Sequence, residues 1–135
     1  MASQVDHEVA AAHAAQTAPI DEPGVLAVNN KLLPPGQSFH VITLSSGERV
    51  PTGTVAAFLY NLKAYDETAE AAAAGQLEPA AVQEKLEKIQ NEMRLSLPLL
   101  RKLGMFELFS VEEWGSGTAK AGRKFVAEEA RRNGW

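Results

Sequence analysis

The sequence predicts an α+β domain that is mostly helical, with one short antiparallel β-hairpin packed against a helical, bundle-like body. Three observations predict it. Apolar residues recur at helical spacing in two long stretches, around 55–65 and 82–93. One short run, Phe39–Leu44, combines aromatic and β-branched residues between turn formers. The alternating strand–helix units of a doubly wound sheet are absent.

The chain has 135 residues, 45% hydrophobic and 22% charged, which suits one globular domain able to bury a core without staples. Residues 1–20 read as an alanine-rich flexible or docking tail, and 21–135 as a single domain. In the tail, alanine favours a nascent helix that is marginal in isolation. Pro19 to Gly24 reads as a hinge, and Val25 to Leu33 as a short helix stopped by Pro34-Pro35-Gly36. In the strand that follows, Phe39, Val41 and Thr43 share one face, and His40, Ile42 and Leu44 the other. Ser45-Ser46-Gly47-Glu48 suits a tight turn into Glu48-Arg49-Val50, ended by Pro51.

Thr52 or Thr54 can cap the next helix. Its apolar stripe is Val55, Phe58, Leu59, Leu62 and Tyr65, expected to cover the hairpin, with Gly75 as its C-terminal stop. A further helix starts near Pro79, where proline is favoured. It carries Val82, Leu86, Ile89 and Met93, with Glu84 and Lys88 as an i, i+4 pair. Pro98 marks a break or kink before Leu99, Leu100 and Leu103, and Gly104 ends this part. Ser110 and Glu113 match a capping box for a short helix through Trp114. Thr118 is expected to cap a last helix carrying Phe125, Val126 and Ala130 and ending near Asn133-Gly134.

Composition excludes several chemistries. With no cysteine there are no disulfides, thiolate metal sites or thiol nucleophiles, which fits a reducing compartment. No apolar run approaches the ~18 residues of a membrane span, and no basic start with an apolar stretch marks a secretory signal. The expectation is a cytoplasmic protein without cofactor or metal. His7, His13 and His40 are not clustered at ligand spacing. No serine sits in a nucleophile elbow, and Glu112-Glu113 and Glu128-Glu129 diverge on their helices.

Three functional readings remain. The leading one is a non-enzymatic protein-binding or assembly module, an accessory subunit or small regulator. It would use the tail and a surplus of large apolar residues: Tyr60, Met105, Phe106, Phe109, Trp114 and Trp135, with Met93 nearby in sequence. Aromatics and methionine are enriched at interface cores. The second reading is a binder of a small phosphate-bearing ligand through the Gly115–Lys124 loop. Ser116, Gly117, Thr118, Lys120, Arg123 and Lys124 could hold an anion at a helix start. The glycines have phosphate-loop spacing, yet Arg123 and Lys124 stand where Lys and Ser/Thr are needed, and no buried strand precedes them.

The third reading is a DNA-binding regulator. The net charge is -4, but residues 93–135 hold eight Lys/Arg against five Asp/Glu. Arg94, Arg101, Lys102, Arg123, Lys124, Arg131 and Arg132 would form its basic patch. Against it, Glu107, Glu112 and Glu113 would face the phosphates. The protein is therefore expected to have a protein partner or to form homo-oligomers, with nucleic acid disfavoured.

Overall fold

A computed structural model describes residues 19–135. The expectations for residues 1–18 lie outside the described residues. The order is α1 (Glu22–Asn30), β1 (Val41–Thr43), β2 (Arg49–Pro51), α2 (Thr54–Ala73), α3 (Pro79–Lys102), α4 (Met105–Leu108), α5 (Val111–Trp114) and α6 (Ala121–Arg132). This is the mostly helical α+β fold with a single hairpin that the sequence predicts. The two long helices, α2 and α3, form its centre; α1 packs on both, and α6 packs on α2.

The hairpin register pairs Val41 with Pro51, Ile42 with Val50 and Thr43 with Arg49. Phe39 and Val41 turn inward, whereas Ile42 and Leu44 are exposed. The hairpin is clasped to the helices by its returning arm. The Arg49 guanidinium donates to both carboxylate oxygens of Glu22 at the start of α1, and Lys102 at the end of α3 pairs with Glu48. That hydrogen-bonded guanidinium holds the Glu22 carboxyl below its ordinary value. A depressed carboxylate contributes above its unfolded value and loses the contribution as pH falls through its folded one. Carboxyl-carbon NMR titration should therefore place Glu22 below an ordinary glutamate, and Arg49→Ala should move its midpoint up.

The buried Asn29 locks α1 to the start of α2. Its side-chain amide donates to Thr54 Oγ1 at 2.9 Å and to the Thr52 carbonyl at 3.2 Å. Thr54 in turn donates to the Pro51 carbonyl. Neither Thr52 nor Thr54 is therefore the cap. The N-cap is Gly53, in the left-handed region at φ 87°, with the Phe39 ring so close that a Cβ would meet it at 2.7 Å. At the other end Gly75 closes α2 as expected. The Gln76 and Gly75 N–H groups donate to the Ala71 and Ala72 carbonyls, a Schellman pattern one residue past the helix.

The core is built by Phe58, Ile89, Met93, Leu97, Leu100, Phe125 and Val126. Four of these lie on α3 at spacings of four, four and three, so one face of that helix is the spine of the domain. The expected break at Pro98 does not occur. The helix runs through it, although an interior proline costs about 3 kcal/mol or more. Leu97, Leu99 and Leu100 are buried around it. Each stabilises by roughly 1.5–3 kcal/mol, so packing outweighs the lost backbone bond. The expected Glu84–Lys88 pair does not form an ion pair.

The stripe expected on α2 is rotated. Phe58 is buried, and Leu62 and Tyr65 are partly so, but Val55 and Leu59 are exposed. The buried face runs instead through Thr54, Ala57, Phe58, Asn61 and Thr68. The hairpin, lying against α1, does not cover the Val55–Leu59 side.

Candidate functional site

The Ser110–Glu113 capping box forms as the sequence predicts. The Glu113 N–H donates to Ser110 Oγ at 3.1 Å, and the Ser110 N–H to Glu113 Oε1 at 3.5 Å. It fixes the single turn of α5, and that turn aims Trp114 back at the long helices. Gly115 then lies so close to α6 that a Cβ would meet the Ala127 methyl at 2.8 Å. The Trp114 ring becomes the hub of an aromatic cluster. Phe58, Phe106 and Phe109 meet it edge-on at centroid distances of 6.1, 6.4 and 6.5 Å. Such edge contacts add ~0.5–1.5 kcal/mol each beyond burial. The Arg123 guanidinium sits 5.8 Å from the same ring and donates to the Glu113 carbonyl. The indole N–H is buried without an acceptor among the described residues.

Leu62, Phe109, Trp114 and Arg123 line a surface cavity of about 280 Å³. Leu59 and Val55 precede Leu62 by three and seven residues, so they continue one ridge of α2 away from that cavity. The exposures decide what this surface is: Val55 57%, Leu59 54%, Phe109 57% and Leu108 77%. Single exposed apolar residues are ordinary; here two of them form a ridge on α2 that leads to the aromatic cavity.

The structure sorts the residues proposed for a partner surface. It brings together Phe106, Phe109, Trp114 and Trp135, with Met105 partly buried at the same core. Trp135 folds back onto the body. Its ring lies 6.0 Å from Phe106 and 5.1 Å from the Arg101 guanidinium, and its N–H donates to the Ala130 carbonyl in a second Schellman pattern. Met93 is fully buried core. Tyr60 is exposed but lines a different groove, between α1 and α3. Val55, Leu59 and Leu108 were not expected at the surface. The signal was present, because apolar positions on α2 span an arc wider than a single stripe.

Two of the cations of the expected anion site, Lys120 and Arg123, are already engaged with the chain itself. Thr118 does not cap α6; the N-cap is Lys120, without a side-chain cap bond. Asp66 of α2 takes that role, accepting from the Gly122 N–H at 2.7 Å. Lys120 pairs with Glu70 at 3.1 Å, and that hydrogen bond raises its pKa. Ser116, Gly117, Thr118 and Lys124 are exposed around this start. An incoming phosphate would meet the Asp66 carboxylate at the one helix end aimed at it.

The basic patch is likewise internally paired. Arg94 and Arg132 both face the buried Glu129, at 3.2 and 3.8 Å. Lys102 is paired with Glu48, while Lys124 and Arg131 stay exposed. Among the described residues no cluster of three His, Asp or Glu side chains could hold a metal ion. No described helix is long and apolar enough to cross a membrane.

Fold and surface together define a small, mostly helical α+β domain with an exposed apolar ridge on α2. The chain belongs to a family described as a domain of unknown function, DUF7709, whose model matches residues 24–134. The match spans every described element but the first residues of α1. No curated protein and no solved structure matches the chain.

Proposed function

We propose that the chain is a non-enzymatic protein-binding or assembly module, an accessory subunit or small regulator. It works through the Val55–Leu59–Leu62 ridge and the adjoining Phe109–Trp114 cavity. The observation that carries this reading is the exposure of Val55 and Leu59 on the ridge and of Phe109 at the cavity, with its chain neighbour Leu108. Leaving them in water forgoes roughly 1.5–3 kcal/mol each. A protein surface that covers them recovers this, with Trp114 and Phe109 as aromatic anchors and Arg123 at the rim.

The test compares the full chain with Leu59→Glu and Phe109→Glu. Leu59 is exposed and makes no ring contact, so Leu59→Glu should leave unfolding within about 0.5 kcal/mol of wild type. Phe109→Glu also gives up the edge contact with Trp114 and should cost about 0.5–1.5 kcal/mol. If a second copy is the partner, light scattering gives a multiple of 14.5 kDa for wild type, and both variants revert towards one chain. If the partner is foreign, a protein retained from the native host by wild type is lost with both. Each anchor should weaken the contact by about 2 kcal/mol, roughly 30-fold. A monomer that retains the same proteins with or without these side chains would falsify the reading.

A further inference from the structure

A second groove, of about 440 Å³, lies between α1, α2 and α3, away from the apolar ridge. Its floor is apolar, with Val28, Ala57 and Ile89 all buried. Ala57 and Ala64, seven apart on α2, make that wall shallow, so another backbone could approach closely. The rim is cationic. Lys31 is tied to Glu92 across the groove. Lys85 and Lys88, three apart on α3 and both exposed, have no carboxylate within ion-pairing distance among the described residues.

We propose that this groove is the docking site of the chain's own N-terminal segment, residues 1–18, seated with Asp6 and Glu8 against Lys85 and Lys88. The first argument is charge. The segment carries those two acids and no lysine or arginine, whereas the unpaired groups at the groove are lysines. The second is shape, since an alanine-rich chain with Val5 and Val9 four apart suits a shallow apolar floor that offers no deep pocket. The third is reach. The segment joins the body just ahead of α1, and the C-terminal part of α1 with its cap supplies Val28 and Lys31 to the groove. α1 is nine residues, about 14 Å long, and the ten residues from Val9 to Ala18 span about 15 Å even if helical. The family match begins at residue 24, so the groove belongs to the shared domain and this segment precedes it. This site is independent of the ridge, and either can fail without the other.

The absence of cysteine allows a clean test on the full chain. A nitroxide placed through Gln4→Cys should erase the amide signals of Leu32, Tyr60, Ala64 and Lys88, and spare those of Glu112 to Gly115. Asp6→Asn with Glu8→Gln, which leaves the domain untouched, should restore the lost signals, as should Lys85→Gln with Lys88→Gln. Groove signals that survive the nitroxide overturn the proposal. So does broadening that appears only when labelled chains are mixed with separate nitroxide-bearing ones, because the occupant is then a second copy. Signals lost equally with the acids neutralised would also overturn it, since the charge pairing would then have no part in the contact.

Discussion

Leu97→Ala is expected to destabilise the domain by about 2–5 kcal/mol. Leu97 is 1% exposed and lies at the middle of the α3 face that also carries Ile89, Met93 and Leu100. The substitution removes buried methyl groups and leaves a cavity that α2 and α6 cannot both close. It also weakens the packing that keeps the helix continuous through Pro98. For a chain of this size the melting temperature should fall by roughly 10 °C. Thermal or denaturant unfolding followed by circular dichroism measures it. A loss under about 1 kcal/mol would mean that the α3 face is not the spine of the core.

Gly122→Val is expected to cost about 2–4 kcal/mol. A Cβ at Gly122 would meet Asp66 Oδ1 and Leu62 Cδ1 at 2.9 Å and the Leu62 carbonyl at 3.1 Å. The side-chain atoms could move aside, but the backbone carbonyl cannot without shifting α2. Moving α6 away would also stretch the bond from the Gly122 N–H to Asp66. Gly117→Val is the control. It lies in the loop just before α6, with nothing within 4 Å of its Cβ, and should stay within about 0.5 kcal/mol of wild type. Asp66→Ala leaves a buried N–H unpaired and should cost about 1–3 kcal/mol. Combined with Gly122→Val it should cost less than the two losses added, because both act on one contact.

Local order was readable wherever it has a local cause. The Ser110–Glu113 box, the close of α2 at Gly75, the proline start of α3 and the hairpin turn each depend on residues within one turn of each other. Failures fall where a distant group supplies the missing partner. Thr118 looks like a cap by sequence, but Asp66, 56 residues before Gly122, is the acceptor in place. Thr54 looks like a cap, but its hydroxyl serves Asn29 and Pro51.

The candidate surface was legible in part. Phe109 and Trp114 stand out because the helices near them are too short to need such side chains. Val55 and Leu59 were placed inward, because an apolar position on a helix says nothing about which neighbour covers it. The hairpin lies on α1, and that choice leaves the α2 ridge open. The basic C-terminal third shows the same limit, since charge can be counted along a chain but its pairing with Glu129 or Glu48 cannot.

By itself, then, the sequence determined the fold class, the two long helices, the hairpin ahead of them and the local boundaries at Gly75 and Ser110, and it excluded cysteine chemistry. Periodicity, capping and composition act over a few residues and need no tertiary contact. Only the tertiary structure decided the rotation of α2, the continuity of α3 through Pro98, the cap on α6 and the inward turn of Trp135. Each of these depends on burial between elements far apart in the chain. There, packing of a few kcal/mol outweighs local preferences of about 1 kcal/mol.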